Sequence, residues 1–255
     1  MHLFHRETGT GFPLIILHGL FGSLTNWDSM ARKLGEFSKV STVDQRNHGR
    51  SPHDPVHTYA AMADDLFELF ASQGLHRASL LGHSMGGKAA MEFALSHPEW
   101  VDRLLVVDIA PVMYPPGHDT IFNGLESIDP SRYNSRSEID RALALRIPDE
   151  RVRQFLLTNL RREEGGGYAW KFNLDALKRN YPGLNAAIEP RGRRFDGPVL
   201  FLRGGRSSYV RDEYLNGIDR IFPHYNVETV DGAGHWIHAD APDLFLDAVR
   251  KFLLQ

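Results

Sequence analysis

The stretch Ala78-Ser79-Leu80-Leu81-Gly82-His83-Ser84-Met85-Gly86-Gly87 decides how the rest of the chain is read. Ala78 to Gly82 is a short run of small and apolar residues and predicts a buried strand. Met85 to Ser96 predicts a helix directly after it. Between them, Gly82-His83-Ser84-Met85-Gly86 matches G-x-S-x-G in the strand–turn–helix setting that this pattern requires. A serine on so sharp a turn has a strained backbone, and the packing around it tolerates only small neighbours such as Gly82, Gly86 and Gly87. The turn lifts the hydroxyl above the sheet edge. The helix N-terminus aims partial positive charge at any anion that forms there. Ser84 is thereby the candidate nucleophile.

Upstream, strands and helices alternate. Pro13 to Leu17 (PLIIL) predicts a buried strand, Trp27 to Phe37 a helix, Lys39 to Val43 a strand, and Tyr59 to Ala71 a helix with Thr58 as its cap. Downstream, Val101 to Ile109 predicts a strand that ends in Asp108. The alternation breaks at Pro111. Arg136 to Leu145, Asp149 to Arg161 and Leu174 to Arg179 look helical, with Gly165-Gly166-Gly167 as a hinge or turn between helices. Strand character returns at Pro198 to Leu202 and Val227 to Val230. Pro242 to Leu254 predicts a terminal helix with proline in its first turn. The expected fold is α/β: a mostly parallel sheet with helices on both faces, from residues 1–111 and 193–255, interrupted by a helical cap insertion over 112–192.

Two further loops face the serine in this reading. His18-Gly19-Leu20-Phe21-Gly22 follows the Pro13 to Leu17 strand. Acyl transfer needs two backbone N–H donors aimed at a tetrahedral oxygen. Met85, the residue after the serine, supplies one, and Leu20 the other, with Phe21 as the fallback. Gly232-Ala233-Gly234-His235-Trp236 follows the last strand. A late histidine between small residues fits the chain order Ser…acid…His, so His235 is the candidate general base. The chain has 13 histidines. His238 is the competitor but lacks the flanking glycines. His18 and His83 read as structural hydrogen-bonders and His48 as a turn residue. The others, His57, His97 and His118 among them, read as solvated.

Composition sets the outer bounds. The chain has 255 residues, 42% hydrophobic and 24% charged, which is near the globular average. A net charge of -3 gives no basic excess for nucleic-acid binding. The absence of cysteine excludes disulfides, a thiolate nucleophile and Cys-based metal sites. No His or carboxylate spacing suggests a metal, and no G-x-G-x-x-G follows the first strand, so neither metal nor organic cofactor is expected. Apolar runs such as Leu104 to Val107 are broken by Asp102, Arg103 and Asp108. No segment reaches the roughly 18–20 residues needed to span a bilayer. The N-terminal Met1-His2-Leu3-Phe4-His5-Arg6-Glu7 lacks a signal-like apolar stretch. The expectation is a soluble, cytoplasmic protein.

With these residues in place, the sequence resembles the α/β-hydrolase superfamily. The loop Asp44-Gln45-Arg46-Asn47-His48-Gly49-Arg50-Ser51-Pro52, with Gly82 to Lys88 and Val107-Asp108-Ile109-Ala110-Pro111, is similar to the bacterial YbfF-type esterases, relatives of the eukaryotic abhydrolase-domain-11 proteins. The resemblance implies a serine esterase with a helical cap, acting on acyl esters or acyl thioesters. It departs in one place. Most of the superfamily carries its acid after the strand that here is Val199 to Leu202, where this chain has Ser207 and Ser208. Serine cannot stabilise an imidazolium as a carboxylate does. Asp108 is the candidate acid, at the place where YbfF-type esterases carry an aspartate. Asp212 and Asp231 are the alternatives.

Phe21, Trp170, Phe172 and Trp236 are candidate substrate-lining aromatics, with cap–core packing the other reading of Trp170 and Phe172. Arg46 and Arg50 read as loop braces, and Arg191 to Arg194 as a solvated junction. The expected partner is a small-molecule ester or thioester, hydrolysed through Ser84, His235 and Asp108. Other chemistries of the same triad, such as carbon–carbon hydrolysis, perhydrolysis or a menaquinone-pathway elimination, stay open, as does a ligand receptor that has lost turnover.

Overall fold

The structure is a computed structural model describing Met1–Gln255. Nine strands follow one another as β1 (His5–Thr8), β2 (Pro13–Leu17), β3 (Lys39–Val43), β4 (Ala78–His83), β5 (Val101–Val107), β6 (Leu160–Arg162), β7 (Tyr168–Trp170), β8 (Val199–Gly204) and β9 (Tyr225–Val230). Seven form one sheet in the order β1-β3-β2-β4-β5-β8-β9. Only β1 runs antiparallel to its neighbour, β3. The other neighbours are parallel.

The helices that cover the sheet are α1 (Asp28–Leu34), α2 (Tyr59–Ser72), α3 (Met85–Ser96) and, at the far end of the chain, the short Ile237–Asp240 turn and the Pro242–Leu253 helix. Alternate residues of one strand go to opposite faces. Ile15 and Leu17 pack in one core with Leu66, Phe70 and Phe93 from α2 and α3. Leu14 and Ile16 pack in a second core with Trp27, Leu34, Phe245 and Phe252. With both faces covered, β2 and β4 are continuous apolar runs rather than alternating ones. Each buried leucine or isoleucine here contributes about 1.5–3 kcal/mol relative to exposure.

Between β5 and β8 no strand joins the main sheet. This segment holds α4 (Asp119–Glu126), α5 (Arg136–Ala144), α6 (Glu150–Leu157) and α7 (Leu174–Asn185), with β6 and β7 paired as an antiparallel hairpin. Several details differ from the sequence reading. The predicted helix Asp149 to Arg161 stops at Leu157, and its last residues become β6. The three glycines are therefore the tip of a hairpin and not a joint between helices. Gly166 and Gly167 have φ of +90° and +75° there, and a Cβ on Gly167 would meet Ser131 O at 2.2 Å. The α7 helix runs on through Pro182 to Asn185, well past the expected Arg179. Neither α4 nor the edge strand β1 was expected. β1 reads HRET, with no apolar run to betray it.

Candidate active site

The carboxyl ends of β2, β4, β5, β8 and β9 open on one rim, the usual place for a site in an open parallel sheet. Ser84 follows β4 directly and caps the N-terminus of α3 with φ 53° and ψ -121°. Its N–H donates to Val107 O on β5 at 3.0 Å. A Cβ on Gly82 would sit 2.2 Å from Gly86 O, and one on Gly86 would sit 2.5 Å from Leu17 O. The turn closes only because both positions are glycine.

Asp108 follows β5 with φ 51° and is fully buried. Its N–H donates to Leu202 O at 2.8 Å. The Oδ1 atom accepts from Gly204 N at 3.0 Å. Oδ2 accepts from the Ser207 hydroxyl and faces His235 Nδ1 at 2.7 Å. Ser207, at the place where an acid was expected after β8, thus donates to the carboxylate of β5. Of the alternatives, Asp212 is exposed and pairs with Arg203, and Asp231 is exposed in its turn. Asp108 is the carboxylate bonded to His235.

The His235 loop is fixed from several sides. His83 Nε2 donates to His235 O at 2.8 Å, and Tyr209 stacks on the His235 ring at 4.2 Å. Gly234 N donates to Asp240 Oδ2 at 2.7 Å, and Asp240 pairs with Arg151 of α6. His238 instead stacks on Trp27 at 4.2 Å, and burial pushes its pKa down to about 4. Ser84 and His235 line one cavity. The serine hydroxyl is not hydrogen-bonded to the imidazole in this arrangement; such contacts are often long in substrate-free proteins and tighten on binding.

Two buried histidines shape the loop after β2. His18 Nδ1–H donates to Gly19 O at 2.8 Å while its Nε2 accepts from Gln45 N at 3.1 Å. His48 Nδ1–H donates to Arg46 O at 3.0 Å while its Nε2 accepts from Phe21 N at 3.2 Å. Each needs a neutral ring, and burial holds both pKa values below the usual histidine range. Because His48 occupies the Phe21 N–H, the Leu20 N–H beside it stays free while the Phe21 N–H does not. Neither Leu20 N–H nor Met85 N–H donates within the protein.

Two cavities of about 250 Å³ each meet at Ser84. One passes Met85 towards Lys88, Tyr59, Tyr114 and Tyr181. The other holds His235, Phe21, Trp236 and Phe155. Trp170 and Phe172 reach neither. They stack on each other at 5.2 Å, and Phe172, buried just after β7, packs behind Phe21 at 5.3 Å. His118, expected to be solvated, lines both cavities and bonds to Tyr181 Oη at 2.6 Å. Burial lowers its pKa to about 4. His57 is buried and His97 is stacked between Phe67 and Phe93, again unlike the solvated reading. The contacts that bury His118 and cover His97 come in part from Tyr181 and Phe67, far off in sequence, so the local run does not mark them. Arg46 braces its loop through Asp65 at 2.6 Å, and Arg50 lies over Phe4. No group of three or more potential metal ligands is gathered anywhere. No helix is long and apolar enough to cross a membrane.

Comparison with known proteins agrees with this architecture. The model of the Alpha/beta hydrolase family matches residues 14–248. The chain is 42% identical over 248 residues to the mouse sn-1-specific diacylglycerol lipase ABHD11, covering 94% of this chain and 80% of the relative. It is 38% identical over 242 residues to the Escherichia coli esterase YbfF, covering 94% and 92%. A solved structure of a marine microorganism esterase superposes with a TM-score of 0.95 at 43% identity, covering 98% of this chain and 99% of that one. The chain belongs to the alpha/beta hydrolase family, and it is a hydrolase.

Proposed function

We propose that this hydrolase is a serine carboxylic-ester hydrolase working through an acyl-enzyme on Ser84. The observation that carries the reading is the 2.7 Å contact of His235 Nδ1 with buried Asp108, on a cavity that also holds Ser84. The likeness to relatives named esterase and lipase supports it. In this mechanism His235 Nε2 takes the Ser84 proton as Oγ attacks the ester carbonyl. The Leu20 and Met85 N–H groups receive the developing oxyanion at the N-terminus of α3. Asp108 holds the Nδ1–H tautomer and stabilises the imidazolium. His235 then protonates the departing alcohol oxygen, and in the second half it activates the water that releases the acid. Atoms balance with substrate and water alone.

The same chemistry assigns the two cavities. A leaving group must lie beside the acid that protonates it, so the cavity with His235, Phe21 and Trp236 takes the alcohol. The cavity that passes Met85 without touching His235 takes the acyl chain. Its volume of about 250 Å³ suits small to medium acyl groups. We assign residues 112–192 as a cap, since Ile121 of α4 and Val152, Phe155 and Leu156 of α6 wall the alcohol side. A fluorophosphonate probe tests the reading. It should label Ser84 covalently, and Ser84→Ala should abolish labelling and lower p-nitrophenyl ester turnover by on the order of 10⁴-fold or more. Full turnover in Ser84→Ala would end the serine-esterase reading.

A further inference from the structure

Lys88 is the one fully buried lysine, 1% exposed, one helical turn beyond Ser84 on α3. Its ammonium reaches the two segments by which the 112–192 insertion leaves and rejoins the sheet. It donates to Val112 O at 2.8 Å on the outgoing segment. On the returning segment it donates to Ala186 O at 2.5 Å, with Asn185 O at 3.5 Å. The two segments also pair with each other, through Tyr114 N to Asn185 O at 2.8 Å and Ile188 N to Pro111 O at 3.0 Å. The Tyr114 and Tyr59 rings face the ammonium at 4.9 and 5.8 Å. No carboxylate pairs with it, and burial pushes its pKa down to about 7.

We propose that Lys88 is a positioning residue for substrate specificity: it clips both ends of the insertion to the nucleophile helix and so fixes the walls of the acyl-side cavity. This rests on the esterase reading above. The geometry argues for a clip rather than for packing. Helix α3 could fill this space with an apolar side chain, but that would leave the carbonyls of two separate segments without the donors that the ammonium gives both at once. The segments it holds carry the cavity wall. Tyr114 follows Val112 by two residues, and Leu184 and Asn185 precede Ala186; all three line the cavity that passes Met85. Asp108 lies four residues before Val112, so the same clip joins the acid's strand end to the serine's helix. Releasing it should move the acyl-side wall most; on the alcohol side only Gly117, His118 and Ile121 follow Val112 on the clipped segment, while α6 and Trp236 stay in place.

Lys88→Met keeps length and volume and removes every donor. Lys88→Gln keeps two N–H donors without the charge. With kcat normalised to the fraction of protein labelled by fluorophosphonate, Lys88→Met should raise KM for p-nitrophenyl butyrate and hexanoate by about tenfold, since displacements of about 1 Å in a positioned group cost up to 10²-fold. It should also reorder the preference for acyl length, while the ranking of p-nitrophenyl against naphthyl leaving groups is preserved. Lys88→Gln should fall between Lys88→Met and wild type. If Lys88→Met does not fold, Lys88→Gln decides alone. Unchanged KM values, with turnover falling only in step with the labelled fraction, would mean a merely structural lysine and overturn the proposal. Labelling of wild-type Ser84 tests the esterase reading separately. A labelled Ser84 with an unshifted acyl preference sinks the Lys88 assignment and leaves the esterase reading standing.

Discussion

Ser84 and Asp108 stand at the carboxyl ends of neighbouring parallel strands, β4 and β5, and both have left-handed backbones, with φ of 53° and 51°. What surrounds them is opposite. Asp108 is fully buried and its carboxylate is held by Gly204, Ser207 and His235. The Ser84 side chain lines two cavities and is held by nothing. Two adjacent strand ends thus use one backbone device for two purposes. At β4 it presents a hydroxyl that stays free to react. At β5 it turns a carboxylate inward, where fixed donors hold its direction. In the proposed mechanism the nucleophile gains from freedom and the acid from restraint, and the contrast lies in the side-chain partners rather than in the main chain.

The contrast breaks most sharply at the acid. Asp108→Asn keeps the shape and the Gly204 contact and removes the charge. An amide can offer His235 the wrong partner and cannot stabilise its cation. We expect kcat to fall by on the order of 10²–10⁴-fold, as in the protease triad where this change costs about 10⁴. Asp212→Asn and Asp231→Asn are surface changes and should stay within about a factor of two. Ester assays on the three variants check this. Near-wild-type turnover in Asp108→Asn with a large loss in either of the others would reverse the assignment.

Ser207 sharpens the comparison at a smaller scale. Its hydroxyl shares Asp108 Oδ2 with His235, so it helps set the carboxylate's direction. A hydrogen bond to a charged group contributes about 1.5–3 kcal/mol, and about 1.4 kcal/mol is a factor of ten. Only the part that differs between neutral and cationic His235 reaches the rate. Ser207→Ala should therefore lower kcat/KM by roughly tenfold, with KM little changed. An Asp108 that needs no such help would show it as unaltered kcat/KM.

How much of this was legible in the sequence depended on whether the signal was local. The strand–Gly–x–Ser–x–Gly–helix run, the glycine-flanked His235 and the strand ending at Asp108 each carry their meaning within a dozen residues. The strands β2, β4, β5 and β8 could likewise be read from their short apolar runs, and β3 and β9 from their valines. What was hidden is non-local. Ser207 looked like a missing acid, since only the fold brings it across to the neighbouring strand end. His48, which takes the Phe21 N–H and leaves Leu20 free, looked like a turn residue. His118 acquires its place from Tyr181, 63 residues away. Strand β1 has no apolar run because it is an edge strand, half-exposed. In the insertion, Pro182 suggested a helix end that tertiary packing overrode, and the hairpin strands are too short to show a period.

The smallest expected effect tests the shared backbone device itself, on stability rather than rate. For a non-glycine residue, φ near 53° with ψ -121° is nearly forbidden, and such strain costs of order 1–3 kcal/mol. Ser84→Gly relieves it, loses no side-chain hydrogen bond, and pays roughly 0.5–1 kcal/mol of unfolded-chain entropy. The variant should be inactive yet more stable, by up to roughly 2.5 kcal/mol. Asp108→Gly also relieves a positive φ. It also strips the buried Gly204 N–H of its acceptor, and an unsatisfied buried group costs about 1–3 kcal/mol. It should be less stable than wild type. Urea unfolding of the two variants, with unchanged m-values, reads the signs directly. Opposite signs would mean that the strain at β4 is borne for a free hydroxyl, while that at β5 is repaid by the bonds it makes possible. Equal signs would mean that the two strand ends are held by the backbone alone, and the contrast between a free nucleophile and a restrained acid would have no energetic basis.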